Sequence, residues 1–358
     1  MNRIPCTLMR GGSSKGLFFM ARDLPEDAEA RDRLLLAAMG SPDLRQIDGM
    51  GGGNDLASKV VLVAPSRSPD ADVEYFFAQV SVARDLVDVL PNSGNMLAAV
   101  APFALEHGLV KAASPTTRVR ILNVNSGKRV DAVVQTPGGH ISYAGSFQLD
   151  GVPGMSAPIA LEFLDPAGTR TGRLLPTGQP QERAEGVPIT CIDFAIPMVL
   201  VKAASLGKTG HEGKRALDDD LVFLQRLESI RLAGARLMGL EASSDRGIPK
   251  IAMIASPNNG GSIASRYFIP ASCHPVHAAT GALALAAACH TPDTIAEELV
   301  VLDERTPHHI VIEHPSGAMS CSVGLGFDPG SGAPAINAAS LLTSARPLLS
   351  GEVFVRST

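Results

Sequence analysis

Lys59 stands between a glycine-rich stretch, Gly49-Met50-Gly51-Gly52-Gly53-Asn54-Asp55, and the apolar run Val60-Val61-Leu62-Val63-Ala64. In water a lysine amine, with a pKa of about 10.4, is protonated near neutrality and is a poor base. Desolvated in a cleft, it is driven toward the neutral amine and can remove a carbon-bound proton. The plain alternative is a lysine at a strand end whose ammonium reaches water. The glycine cluster, with Asn54 and its amide, reads as a mobile or ligand-touching loop rather than as packing, with a plain flexible connection as the equal alternative.

Two further clusters carry anion chemistry. Pro91-Asn92-Ser93-Gly94-Asn95 opens an Ala-rich segment. Asn and Ser are ordinary N-caps, Gly94 permits close approach, and the Asn95 amide adds a donor where helix N–H groups already favour an anion. Arg10-Gly11-Gly12-Ser13-Ser14-Lys15-Gly16 follows the first apolar run and fits neither GxxxxGK[ST] nor GxGxxG. A tight turn flanked by two cations suits a carboxylate, with Arg10, Ser13 and Ser14 as its candidate ligands. In Cys273-His274-Pro275-Val276-His277, two imidazoles and one thiol lack a further ligand cluster, so no metal site is expected. His277 is read as a helix-start anion ligand or a polar core residue. Arg266, Thr280 and Gly281 complete the candidate binding set around that second helix start.

These clusters sit in a repeat. Ser58-Lys59-Val60-Val61-Leu62-Val63-Ala64-Pro65 is echoed by Pro249-Lys250-Ile251-Ala252-Met253-Ile254-Ala255-Ser256-Pro257, with the two lysines 191 positions apart. Each run follows a helical pattern ending in Met-Gly, at Gly40 and Gly239, where a helix terminus wants a residue tolerant of positive φ. Each is followed by a second strand, at 75–82 and 265–270, and then by an Ala-rich helix, at 93–105 and 277–288. With opening strands at 4–9 and 189–201, the order strand, helix, strand, strand, helix occurs twice. The Ala-rich helices are apolar or small on every face, so they must be buried. The expected fold is α/β, with two pseudo-symmetric domains, each a curved, mostly antiparallel sheet wrapped around a central helix. The Gly/Pro/Thr/Arg-rich segment 168–187 puts the boundary between domains 1–186 and 187–358. The last strand, 351–356, has an open destination and is able to cross back. Two helix starts facing one interdomain cleft would suit a small anionic ligand.

Composition narrows the classes. A chain of 358 residues is comfortable for two domains. Lysine and arginine number 31 against 36 acids, a net charge of −5, which argues against nucleic acid as a partner. Apolar residues at 45% against 19% charged permit a large core. No run approaches the roughly 18 apolar residues of a membrane span, and no signal peptide is expected. Five scattered cysteines without a CxxC pair read as reduced thiols in a cytoplasmic protein.

At these same residues the sequence resembles the PrpF family, isomerases related to diaminopimelate epimerase. The matching stretches are Arg10 to Gly16, Gly40-Ser41-Pro42-Asp43, Arg45-Gln46-Ile47-Asp48-Gly49, Leu56-Ala57-Ser58-Lys59-Val60, Asn92-Ser93-Gly94-Asn95 and Ile248-Pro249-Lys250-Ile251-Ala252-Met253. Within the family it is most similar to the branch acting on 4-oxalomesaconate in bacterial breakdown of gallate and lignin-derived protocatechuate. The resemblance implies two pseudo-symmetric domains with the site between them, and it assigns the catalytic base to Lys59. Epimerase relatives start each central helix with a cysteine. Here those positions carry Ser93 and Ala278, so two-thiol chemistry is not available, and a serine hydroxyl is a far poorer acid or base than a thiol. Ser93 is kept as the second catalytic candidate.

The expected activity is a 1,3-allylic proton transfer, or tautomerisation, on 4-oxalomesaconate, with neither cofactor nor metal. Two alternatives stand beside it: an aconitate or methylaconitate isomerase of the same family, and a non-catalytic polycarboxylate-binding protein. The expected partner is a small polycarboxylate, with neither nucleic acid nor membrane; the oligomeric state is left open, a homodimer included.

Overall fold

The computed structural model describes residues 1–242, 247–269, 272–327 and 334–356. The chain divides into two compact units, Met1–Leu161 with Thr343–Thr358, and Glu162–Leu342.

The first unit opens with a hairpin, β1 (Asn2–Gly11) and β2 (Ser14–Met20), followed by α1 (Ala28–Met39). β3 (Lys59–Pro65) runs parallel to β2, and β4 (Val73–Val80) lies antiparallel to β3. A short β5 (Val87–Asp88) leads to two buried helices, α2 (Gly94–Leu97) and α3 (Val100–Glu106). β6 (Thr116–Asn123) is parallel to β4, and β7 (Lys128–Gln135) closes the pattern antiparallel to β6. A small hairpin, β8 (Phe147–Gln148) with β9 (Met155–Ser156), and β10 (Ile159–Leu164) follow.

The second unit repeats the scheme. After β11 (Glu182–Ala184), β12 (Val187–Phe194) and β13 (Ile196–Lys202) form the hairpin, and α4 (Lys214–Asp218) and α5 (Leu221–Leu237) follow. β14 (Lys250–Ala255) is parallel to β13 and antiparallel to β15 (Ile263–Ile269). The short β16 (Ser272–Cys273) precedes α6 (Ala279–Cys289). β17 (His309–His314), β18 (Gly317–Phe327) and β19 (Pro334–Thr343) complete the sheet, with β17 parallel to β15. The final strand, β20 (Ala345–Val355), pairs antiparallel with β1, so the chain end crosses back into the first unit.

Strand alternation decides which side chains reach the central helices. Val60 and Leu62 of β3 pack with Ala78 and Val80 against Leu35, Leu36 and Met39 of α1. Residues 59, 61 and 63 therefore point to the opposite face. That face carries Tyr75, whose hydroxyl donates to Ser93 O at 3.0 Å, so it is the face of α2. In the second unit Ile251 and Met253 pack against Phe223, Leu227 and Ile230 of α5, which turns Lys250 to the other face. Every residue of α6 is buried, and its small side chains let it lie against β12, β13 and β18.

Several expectations need correction. The single helix over 93–105 is two short ones, because Pro102 has no N–H and its ring conflicts with the carbonyl four residues back. Ala99 N instead bonds Met96 O at 3.0 Å. The strand over 189–201 is the β12–β13 hairpin, turned at Ala195 with φ 60°. The second strands end at Val80 and Ile269; Pro270, placed in the latter, lies outside the described residues. The glycine cluster is a packed loop: a Cβ on Gly49 would lie 2.2 Å from Gly40 N, and one on Gly51 would lie 2.1 Å from the Gln46 side chain. The units part at Leu161/Glu162 rather than at 186/187. The segment between is tied to the second unit by the β11–β12 pairing and by Gly168 N donating to Asp193 O at 2.8 Å.

Candidate active site

The hairpin turn between β1 and β2 is built around two glycines. Gly12 has φ +50°, and a Cβ there would lie 2.6 Å from Asn95 Oδ1; one on Gly11 would lie 2.3 Å from Asn95 O. The start of α2 thus rests directly on the turn. Asn95 Nδ2 donates to Ser13 Oγ at 3.1 Å and to Ser14 Oγ at 3.4 Å. Because each serine oxygen accepts from the amide, its own O–H remains as a donor toward a ligand. Ser93 is the N-cap of α2, its Oγ accepting from Met96 N at 3.3 Å, and Gly94 is the buried first residue of the helix.

A cavity of about 300 Å³ opens at this turn, lined by Arg10, Ser13, Ser14, Lys15, Leu56, Ala57, residues 151–153 and Leu348. Arg10 faces Lys15 across the β1–β2 ladder and Arg346 across the β1–β20 ladder. Like charges placed directly opposite repel one another, and an anion in the cavity offsets that repulsion. Burial, and then the Arg346 charge, hold the Arg10 guanidinium below its usual pKa. Part of its donor set fixes the fold, since Nη1 bonds Gly12 O at 2.9 Å and Ser344 O at 3.0 Å, and Nη2 bonds Ser344 Oγ at 3.1 Å.

Lys59 is buried, with 7% of its surface exposed. Its Nζ donates to Gln79 Oε1 at 2.5 Å and lies 5.2 Å from the Phe77 ring centroid. A Cβ on Gly16 would lie 2.4 Å from Lys59 O, so β2 approaches β3 closely here. Alternation puts Lys59 on the face of Gly16 and Ser14, and Arg10 and Lys15 on the other. Lys59 does not itself line the cavity. Asn54 stands apart as well: its amide is exposed and holds its own loop, bonding Gly52 O at 2.9 Å and Leu56 N at 3.0 Å.

The second set divides. His277 is fully buried, its Nδ1 donating to Ala278 O at 3.1 Å and its Nε2 accepting from Ser265 Oγ at 3.1 Å. Burial pushes its pKa down to about 3, so the ring is neutral, and both of its nitrogens are engaged by protein partners. Thr280 and Gly281 are buried in the first turn of α6, with Gly281 against the Tyr267 ring. Arg266 does not join them. It alternates with Tyr267 onto the α5 face beside Phe268, donating to Glu212 O at 2.6 Å and Ser265 O at 3.0 Å.

Sequence reasoning passed over Lys15, Arg346 and Gln79. Lys15 carried a signal as the second cation beside the turn. The other two become neighbours of the site only through strand register.

Residues 1–356 match the family model described as PrpF protein. The chain belongs to the PrpF family. Among PrpF relatives, the (4E)-oxalomesaconate Delta-isomerase of Novosphingobium sp. strain KA1 is 45% identical over 99% of this chain and 98% of its own. The 4-oxalomesaconate tautomerase of Pseudomonas putida is 45% identical over 99% of this chain and 96% of its own. The crystal structure of a methylitaconate-delta-isomerase superposes with a TM-score of 0.80 at 34% identity, covering 99% of this chain and 96% of the other. This PrpF protein is an isomerase with the α/β fold of that group. Among the described residues, no helix is long and apolar enough to cross a membrane.

Proposed function

We propose that this isomerase shifts a double bond within 4-oxalomesaconate, an unsaturated tricarboxylic keto acid, by moving one proton between carbons. The observation that carries the reading is a buried lysine, Lys59, on the same sheet face as Ser14, which lines a cavity together with Arg10 and Lys15. Lys59 Nζ takes the proton from an allylic carbon. The electron pair left behind spreads through the conjugated keto acid as a dienolate, and a proton returned to the far carbon completes the shift. The acidity comes from the substrate's own conjugation, so the step requires neither cofactor nor metal. The Ser13 and Ser14 hydroxyls, held by Asn95, donate to a carboxylate or to the developing oxyanion. Arg10, Lys15 and Arg346 draw a polyanion toward a chain whose net charge is −5. Ser93 is the candidate for the second proton transfer. The names of the two oxalomesaconate relatives favour this substrate, and with it a place in the breakdown of gallate and lignin-derived protocatechuate. Five free, buried cysteines suit a reducing, cytoplasmic setting.

A sister reaction on a methylated or simple aconitate is favoured by the 36% identity to the 2-methyl-aconitate isomerase of Cupriavidus necator, and it uses the same proton chemistry. Incubation with 4-oxalomesaconate, cis-aconitate and 2-methylaconitate in deuterated water separates the readings. Fast ultraviolet change and deuterium uptake with the first substrate are expected. Turnover of an aconitate alone supports the sister reaction, and binding without exchange on any of the three makes the protein a polycarboxylate binder.

A further inference from the structure

Gln79 lies directly across the β3–β4 ladder from Lys59, on the α2 face of the sheet. Its amide is locked. Nε2 donates to Ser58 O at 2.8 Å and to Asp55 O at 3.2 Å, so Oε1 is the end presented to Lys59 Nζ. Phe77, two residues back on the same strand, offers its ring to the same nitrogen from 5.2 Å.

We infer that Gln79 is the positioning residue for the proton-transferring amine, an inference that rests on reading Lys59 as the base. A neutral amine has two N–H bonds and one lone pair. Fixing one N–H against Gln79 Oε1 restricts where the lone pair points, and a carbon-bound proton is removed only along that direction. When Nζ accepts the proton it becomes an ammonium, and its hydrogen bond to Oε1 becomes charge-assisted and stronger. The Phe77 face likewise attracts the nitrogen once it is charged. Both interactions grow as charge develops, so they act on the rate rather than on substrate binding.

The repeat supplies an internal contrast. The β14–β15 register pairs Ile251 with Phe268, and continuing it by one residue sets Lys250 opposite Ile269, which has no side-chain acceptor. The residue set across the ladder from each lysine thus differs between the two halves of the repeat.

The test uses the full chain with Gln79→Met and Gln79→Glu, assayed on 4-oxalomesaconate in deuterated water, with a crystal structure of Gln79→Met. The expected result is a fall in kcat of at least about tenfold for Gln79→Met, with deuterium uptake falling in parallel and KM within about threefold. Gln79→Glu keeps an acceptor for Nζ, but its carboxylate favours the ammonium form, so kcat falls there as well, and in the Gln79→Met crystal the Lys59 Nζ leaves its native position. Unchanged kcat and exchange, a change confined to KM, or a Lys59 side chain undisturbed in the crystal would each overturn the inference. Lys59→Met assayed alongside separates the two levels. If it is inactive while Gln79→Met runs at full rate, only the Gln79 role falls; if it retains full exchange, the base assignment falls and takes this role with it. Should the native protein leave 4-oxalomesaconate untouched, the crystal comparison alone decides whether Gln79 holds Lys59.

Discussion

Asn95 Nδ2 donates to Ser13 Oγ at 3.1 Å, joining the first turn of α2 to a hairpin turn 82 positions earlier in the chain. The bond leaves the Ser13 proton free to donate to another acceptor, and Ser13 lines the cavity. The same amide reaches Ser14, so a single side chain orients two hydroxyl donors.

Substrate anchoring follows from that geometry. Asn95→Asp replaces a donor with a second acceptor, reverses the serine hydroxyls and adds negative charge beside a carboxylate. Its KM is expected to rise by at least about tenfold, with a smaller loss of kcat. Lys15→Met removes one of the three opposed cations and is expected to raise KM by several-fold, with a weaker dependence of KM on salt than the native enzyme shows. Steady-state kinetics at two ionic strengths check both. Native KM values for the pair would remove the turn from the binding site.

Ser93 serves α2 as a cap, so Ser93→Ala is expected to cost about 1 kcal/mol and stay folded. Ser93→Cys, which puts a thiol at the start of α2, is expected to retain or increase turnover. Denaturant titration and kcat separate the two roles. Full turnover in Ser93→Ala would make the residue a cap only.

His277 makes the fold sensitive to acid. Its pKa is about 3 in the folded protein against 6.5 for the free side chain, with burial as the main cause. Between those values the unfolded chain binds a proton that the folded chain refuses, so stability falls as pH drops below about 6.5. Over pH 4 to 6 His277→Gln should lose stability less steeply than the native protein, by up to about 1.4 kcal/mol per pH unit. Parallel stability curves for the two proteins would show that the ring already takes up its proton in the fold.

Much of this was legible in the sequence, and the rest fails for definable reasons. The repeat around Lys59 and Lys250 predicted the strand order of both units because each run has its own apolar pattern and its own stop. The break at Pro102 was written in the sequence too, yet the unbroken apolar composition of 93–105 outweighed it. The glycines at 49 and 51 were read as freedom when they mark close packing against Gly40 and Gln46, since composition cannot distinguish a residue kept small from one kept flexible. His277 and Arg266 looked equally able to bind an anion. Burial makes the first neutral, and strand parity sends the second to the other face of the sheet. Arg346 reaches Arg10 only because β20 returns to pair with β1, a register that no local pattern announces.

The central claim is that Lys59 moves the proton. Its most direct test is deuterium incorporation into 4-oxalomesaconate by Lys59→Met and Lys250→Met, with substrate binding measured on the same samples. Lys59→Met is expected to lose exchange and isomerisation by at least about a thousandfold while binding within a few-fold of native, because the anchors at the hairpin turn are intact. Lys250→Met should keep most of its exchange. Near-normal exchange in Lys59→Met, with exchange lost in Lys250→Met, would contradict the account and place the base in the other half of the repeat.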